Sequence, residues 1–455
     1  MTIDSKQLKI FFSGIGGSGV SAIAGFMAGK GHNVAGSDRA FDENSGSPLK
    51  KTLQSSGIRI FSQDGSGIDA AFDLVVFSTA VENDSPELLK AKKLGVRVRT
   101  RPEFLTEITN SHKTIAVAGT SGKSTTAAML AFLMERLGLD PNYIGGGRAR
   151  QFRSETNPGN YLSGSSDHLV IEACESDGTI VNYRPRYSII LNLSLDHHTV
   201  AKTADMFKEL IKHTGEKVII NADDENLAEL KSEGVTTFSI DSLSDYRAEA
   251  VKFMPFGTDF LLRGTRFSLS LPGKYNLYNA VSCIALLLEI GISPALIAAA
   301  LPEFQGIERR FDIHFNDGKK LVIDDYAHNP HKIAALMETV MRLHQRICYI
   351  FQPHGFGPTK LMKDEYIEVF SRNLRDTDHL IILPIYYAGG SIVRDISSLD
   401  LAAGISEAGR SVEVIEDRAE ILNRIDGYSA YVIFGARDET LSDLAEQVAK
   451  KVKNC

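Results

Sequence analysis

Two glycine-rich loops, each set between a short apolar run and a helical pattern, restrict what this chain can fold into more than any other feature. Gly14-Ile15-Gly16-Gly17-Ser18-Gly19 follows the run Leu8 to Ser13 and opens the pattern Val20 to Lys30. Gly119-Thr120-Ser121-Gly122-Lys123-Ser124-Thr125-Thr126 follows Thr114 to Ala118 and opens Thr125 to Leu137. A strand that turns through glycine into a helix begins a parallel β-α-β unit, because parallel strands need a crossover between them. The same rhythm recurs in Asn33 to Ser37, Leu74 to Ser78, Leu169 to Glu172, Tyr187 to Leu193 and Lys217 to Asn221. It resumes after Arg310, with Lys320 to Ile323, Arg346 to Phe351, His379 to Leu383, Ser411 to Val414 and Ala430 to Phe434. At 455 residues the chain is too long for one compact core. The expectation is an α/β protein of three domains, residues 1–108, 109–311 and 312–455. Residues 235–272, richer in Thr, Ser and Phe, are expected to be short antiparallel strands inside the middle domain.

The first loop is a GxGxxG in the strand-to-helix context where backbone amides and a helix N-terminus hold a diphosphate. Asp38 ends the next strand, where an acid can bond a ribose hydroxyl. The plainer alternative is that these glycines serve only close packing of helix on strand. The second loop carries the GK[ST] ending of a P-loop: Lys123 is placed to meet β- and γ-phosphates and Ser124 to ligate Mg²⁺. Its leading glycine position holds Val117, so it is a variant of the pattern. Packing gives no reason for a lysine there. One loop suited to a diphosphate and one suited to a triphosphate imply two nucleotides, which argues against a simple dehydrogenase.

Charge and composition narrow the rest. The formal charge is −7, from 50 Lys and Arg against 57 Asp and Glu, which disfavours a broadly basic nucleic-acid surface. Cys174, Cys283, Cys348 and Cys455 are scattered without zinc-ligand spacing and fit a reducing cytosol. The start shows no secretory signal pattern, so a cytoplasmic location is expected. The apolar stretch Ala280 to Leu301 is interrupted by Glu289, Gly291 and Pro294 and reads as two core helices rather than a membrane span. No partner nucleic acid or membrane is expected.

Acids cluster where ligands bind in such sheets. Glu172-Ala173-Cys174-Glu175-Ser176-Asp177 ends one apolar strand, and Asn192-Leu193-Ser194-Leu195-Asp196-His197-His198 ends another. Glu172 and His197 beside Ser124 could complete a Mg²⁺ site, although either could equally be a surface group or a helix cap. In order along the chain, the second loop, the EACESD stretch, Asn192 with Asp196-His197, Gly273-Lys274-Tyr275-Asn276-Leu277-Tyr278-Asn279-Ala280, Arg309-Arg310-Phe311 and Asp324-Asp325-Tyr326-Ala327-His328-Asn329-Pro330 resemble the Mur ligases, from about residue 8 to about residue 440. These are the ATP-dependent amide ligases of peptidoglycan precursor synthesis. GIGGSG, STAVENDSPEL at 78–88, EACESD and FQPH at 351–354 are most similar to members that add L-alanine to UDP-N-acetylmuramate.

The resemblance implies an N-terminal Rossmann-like domain for the UDP-sugar, a central P-loop ATPase-like parallel sheet and a C-terminal Rossmann-like domain for the amino acid or short peptide. It implies that Gly14, Gly16, Gly17, Gly19, Ser37, Asp38, Ser78, Thr79 and Ala80 face the UDP moiety. Gly119, Thr120, Gly122, Lys123, Ser124 and Thr125 would hold ATP, with Ser124, Glu172 and His197 on Mg²⁺. Asn276 and Asn279 would read adenine, and Arg310, Asp325 and His328 would close over the nucleotide and reacting centre. Lys123, Glu172, His197 and His328 are the expected catalytic residues.

The chain departs from that pattern after FQPH, where arginines expected at two positions are Gly355 and Pro358; His354, Lys360 or Lys363 could substitute, and Arg437 could itself hold a carboxylate. The acceptor therefore stays open between L-alanine, another amino acid and a murein peptide. Lys208 and Lys212 are expected to be solvated helix residues. A non-catalytic nucleotide-binding protein and a dinucleotide oxidoreductase are the readings from other classes. The oligomeric expectation is monomer or homodimer.

Overall fold

The computed structural model describes residues 7–41, 47–82, 84–196, 198–231, 234–387 and 394–453. It resolves into two compact units, 1–307 and 308–455, which are taken in turn. Among the described residues no helix is long and apolar enough to cross a membrane.

The first unit opens with a five-stranded parallel sheet of β1 (Lys9–Ser13), β2 (Asn33–Ser37), β3 (Arg59–Phe61), β4 (Leu74–Phe77) and β5 (Arg97–Thr100), in the order β3-β2-β1-β4-β5. The chain leaves β1 toward β2 on one side and reaches β4 on the other, so the crevice above β1 and β4 is the switch point where α/β sheets take ligands. The first glycine loop lies there. β3 and β5, too short and too polar to announce themselves by periodicity, complete the sheet.

An eight-stranded sheet follows, built from β6 (Lys113–Ala118), β7 (Asn142–Ile144), β8 (Tyr161–Ser163), β9 (His168–Glu172), β10 (Tyr187–Ile190), β11 (Lys217–Asn221), β12 (Val235–Ser239) and β13 (Tyr246–Arg247). Its order is β13-β12-β11-β10-β6-β9-β7-β8, parallel except for β8 against β7. The strand β6 is central, with β9 and β10 as neighbours, so the second glycine loop emerges between the ends of Glu172 and of Asn192. The expected antiparallel segment 235–272 divides. β12 and β13 extend the large sheet in parallel, and only β14 (Glu249–Met254), β15 (Gly257–Leu262) and β16 (Thr265–Leu269) form the antiparallel sheet.

Both faces of β6 are buried, which is why its sequence is an unbroken apolar run. On one face Val117, Ile189 and Ile219 pack with the helices Lys123–Arg136 and Lys274–Glu289; on the other Ala116, Ile171 and Ile220 share a core with Phe12, Ile23 and Phe26. The helix Ser18–Gly29 presses on β8 so closely that a Cβ at Gly25 would lie 2.2 Å from Tyr161 Cε1 and one at Gly29 2.3 Å from Ser163 Oγ. The stretch 280–301 is indeed divided, into Lys274–Glu289 and Pro294–Ala300.

The second unit is a six-stranded sheet of β17 (Asp312–Asn316), β18 (Leu321–Asp325), β19 (Ile347–Gln352), β20 (His379–Ile382), β21 (Val412–Val414) and β22 (Ala430–Gly435). The order is β17-β18-β22-β19-β20-β21, with β17 the antiparallel edge that the sequence rhythm did not show. Ile350, Ile381 and Ile433 pack beneath Leu444 and Val448 of the helix Leu441–Lys453.

Candidate functional site

At the second glycine loop, two positions need glycine. Gly119 and Gly122 take φ of +139° and +89°, and a Cβ on Gly122 would lie 2.5 Å from Asn279 Oδ1. The loop is pinned from β10's extension: Asn192 Oδ1 accepts from Ser121 N at 2.8 Å and Asn192 Nδ2 donates to Ser121 O at 2.9 Å. Thr120 adds a second tie, its Oγ1 donating to Ser194 O at 3.2 Å and accepting from Ser194 N at 2.9 Å. A side-chain amide clamping both ends of one peptide fixes the loop before any ligand arrives.

Lys123 heads the helix and is 8% exposed. Its Nζ donates to Gly119 O at 2.6 Å and pairs with Glu175 Oε2 at 2.9 Å. Burial works against its charge, but the carboxylate of Glu175, with Cys174 and Glu172 adding, raises its pKa above the ordinary lysine value. It is therefore cationic, and Glu175 holds it among the loop carbonyls. Ser124 Oγ donates to Glu172 Oε1 at 2.8 Å, while Glu172 Oε2 accepts from Gly146 N at 2.9 Å. A hydroxyl and a carboxylate this close are hard oxygen donors that fit Mg²⁺, whose other positions phosphates and water fill. His197, the third expected ligand, lies outside the described residues, and among the described residues no group of three His, Cys, Asp or Glu is gathered for a metal. Thr125 is buried in the helix's first turn.

Asn276 and Asn279 lie on one helix behind the loop. Asn276 Nδ2 donates to Pro272 O at 2.8 Å and its Oδ1 accepts from Asn279 Nδ2 at 3.3 Å, and Asn279 abuts the loop itself. Lys208 and Lys212 are exposed and pair with Asp205 and Glu209 on their own helix.

The first glycine loop uses backbone and an acid. Gly14 N and Ile15 N donate to Ser37 O at 2.9 and 3.0 Å, and Gly16 N donates to Asp38 Oδ2 at 2.8 Å. Gly17 caps the helix that Ser18 and Gly19 begin, and its carbonyl accepts from Val20 N and Ser21 N, leaving the Ser18 and Gly19 amides without an intrahelical acceptor. The turn Ser78-Thr79-Ala80 stands against it: a Cβ on Gly14 would meet Ser78 Cβ at 2.8 Å, and Ala80 N donates to Ser78 Oγ at 3.3 Å. Ser37 is fully buried beneath the loop, and its hydroxyl, like that of Ser13, donates to Glu87. Burial raises the Glu87 pKa despite both hydroxyls. Arg101 joins the first loop to the acidic stretch that follows β9. It lies 3.5 Å from where a Gly19 Cβ would stand, and it pairs with Asp177 of the acidic stretch at 2.6 Å.

In the second unit, Arg309 rather than its neighbour is the structural arginine. It is 6% exposed, pairs with Asp324 at 3.1 Å and donates to Gly435 O and Asp438 O at 2.8 and 2.9 Å. Arg310 lies over the Tyr326 ring at 5.0 Å. Both oxygens of Asp325 accept backbone amides, Phe311 N and Ala327 N, each at 2.7 Å, which shapes the turn; burial nevertheless raises its pKa. His328 and His354 meet edge to face at 5.2 Å, with Tyr326 5.7 Å from His328. Burial first, then Lys332 and His354, push the His328 pKa down to about 3. Its Nδ1 faces Tyr326 O at 2.9 Å, and since a carbonyl only accepts, Nδ1 carries the proton and Nε2 is left as an acceptor.

Sequence reasoning passed over Asn192, Glu175 and Arg101 as site residues. The first two sit inside motifs quoted above, and their roles show only when the loops converge.

A P-loop lysine and serine above a central strand, a second glycine loop at a switch point and a separate α/β unit with paired histidines mark a nucleotide-using enzyme. The Mur ligase family, catalytic domain, matches residues 9–113; the Mur ligase middle domain matches 117–287; and the Mur ligase, glutamate ligase domain, matches 309–437. The chain is 33% identical to the UDP-N-acetylmuramate–L-alanine ligase of Fusobacterium nucleatum, over 98% of this chain and 97% of that one. It is 32% identical to the ligase of the same name from Persephonella marina, over 99% and 98%. Among solved structures it superposes on the UDP-N-acetylmuramate–alanine ligase of Thermotoga maritima with a TM-score of 0.81 and 26% identity, covering 98% of this chain and all of that one. The chain belongs to the Mur ligase family, and it is an ATP-dependent, ADP-forming amide ligase.

Proposed function

We propose that this enzyme joins L-alanine to the lactyl carboxylate of UDP-N-acetylmuramate, with 1–108 binding the UDP-sugar, 109–311 binding ATP and 312–455 supplying the acceptor amine. The observation that carries the reading is the cationic Lys123 beside the Ser124–Glu172 pair, on a chain similar from end to end to L-alanine ligases. A carboxylate is a poor electrophile, so its oxygen attacks the γ-phosphorus of ATP, ADP leaves and an acyl phosphate forms. Lys123 exchanges Glu175 for the phosphate oxygens and offsets the charge that gathers there. Ser124 and Glu172, with His197, would hold Mg²⁺, which supplies charge neutralisation on the phosphates when bound. The uncharged amine of alanine then attacks the acyl carbon, a tetrahedral intermediate collapses, phosphate departs and the amine proton is lost to a base. His328 Nε2, its pKa pushed down to about 3, is left as an uncharged hydrogen-bond acceptor too weakly basic to keep that proton, which passes to solvent. Asp38 and the Gly14–Gly19 amides are assigned to the UDP moiety.

The test is product identification by mass with ATP, Mg²⁺ and UDP-N-acetylmuramate, and L-alanine, glycine, L-serine or murein tripeptide supplied separately. Amide formed from L-alanine, with ADP and phosphate in equal amounts, is expected. Amide from tripeptide alone would shift the assignment to a murein peptide ligase, a reading favoured by the small Gly355–Pro358 segment.

A further inference from the structure

An amino acid acceptor carries a carboxylate that needs a fixed cation, and beside the His328–His354 pair Arg310 is taken up over the Tyr326 ring and Lys332 has an interaction of its own. Lys360 is committed to Asp395 at 2.5 Å. Lys363 begins the next helix, where its charge helps keep the Asp400 carboxyl low. Gly355 takes φ of +72°, a conformation that strains any arginine placed there, and Pro358 lies in the short helix Phe356–Leu361. Arg394 arrives from a different part of the chain. Its guanidinium lies over Phe356 at 5.5 Å and over Tyr387 at 4.5 Å, and those rings meet each other at 5.9 Å.

The segments that carry Phe356 and Tyr387 are paired at His354 and Tyr386. The pairing is an isolated parallel bridge, in which Gly355 N donates to Tyr386 O at 2.9 Å and Tyr386 N donates to Pro353 O at 2.8 Å. Among the described residues Arg394 makes no ion pair or hydrogen bond, although an acid is its chain neighbour. A guanidinium lying over aromatic rings with its N–H groups unpaired has them available for a planar, bidentate anion, which is the geometry of a carboxylate. We propose that Arg394 binds the carboxylate of the incoming amine and so sets acceptor specificity. This rests on the ligase reading above.

The experiment crosses the side chain with the ligand group. Steady-state rates are measured for the wild-type enzyme and for R394A, R394K and R437A, each with L-alanine and with L-alaninamide, at saturating ATP and UDP-N-acetylmuramate. The wild-type enzyme is expected to favour L-alanine over its amide in kcat/KM by at least about tenfold, a preference that R394A abolishes. R394A should raise the KM for L-alanine with the KM values for ATP and UDP-N-acetylmuramate unchanged. R394K should restore only part of the preference, lacking the fork. A preference that survives in R394A, or that disappears in R437A instead, overturns the proposal while leaving the ligase reading intact. A wild-type enzyme that forms no amide with any amine overturns both.

Discussion

The two glycine loops occupy equivalent places, each above a strand of a parallel sheet at the start of a helix, yet they prepare for phosphate differently. The first answers Gly16 N with the Asp38 carboxylate and buries its serines on Glu87, so its own charge is negative and its donors are backbone amides. The second places a buried cation, Lys123, among carbonyls and carboxylates and sets a hydroxyl against Glu172. A loop of amides and an acid can hold a diphosphate and a ribose without changing either. A loop that carries a positive charge can offset the negative charge that gathers on phosphate during a reaction. The difference separates holding from chemistry, although the fold is the same.

The comparison predicts a graded set of effects. Lys123→Ala should lower kcat by about a thousandfold, as loss of the main transition-state cation does, with the KM for UDP-N-acetylmuramate little changed; equal losses in both would break the distinction. Asn192→Ala removes the two hydrogen bonds that clamp the Ser121 peptide, at about 1–3 kcal/mol. It should therefore lower kcat/KM for ATP by about ten- to a hundredfold in initial-rate assays. Gly16→Ala puts a Cβ 2.8 Å from the Asp38 carboxyl, and the displaced acid should raise the KM for the UDP-sugar about tenfold, about 1.4 kcal/mol, with ATP binding by calorimetry unchanged. Arg101→Ala breaks a partly exposed ion pair between the first loop's neighbour and Asp177 of the acidic stretch, a loss of about 1 kcal/mol or less. It should weaken both nucleotides severalfold, which a pair of binding titrations would reveal.

Much of this was legible in the sequence because it is local. An apolar strand, a glycine turn and a helix are contiguous, so β1 with its loop and β6 with its loop could be placed from the residues alone. Lys123 and Ser124 follow from spacing. What was not legible depends on pairing across distance. β17 is an edge strand defined only by β18, and β12 reads as antiparallel until it is seen beside β11. Asn192 was visible as part of a motif, but its clamp on Ser121 exists only because β10 lies next to β6. Asn276 and Asn279, assigned by resemblance to adenine, lie on one helix behind the loop, where Asn276 also bonds Pro272 O and the two amides bond each other. Arg394 has no motif at all, and its place over Phe356 and Tyr387 comes from the tertiary path of the chain.

If the second loop activates the lactyl carboxylate of a sugar that the first holds by its UDP moiety, an oxygen of that carboxylate passes to phosphorus, and isotope transfer reads it. UDP-N-acetylmuramate labelled with ¹⁸O in its lactyl carboxylate is turned over with ATP and L-alanine, and the released phosphate is weighed by mass spectrometry. An acyl phosphate delivers one carboxylate oxygen to phosphorus, so every phosphate formed from fully labelled substrate should carry one ¹⁸O. Unlabelled phosphate released in step with amide would contradict the account.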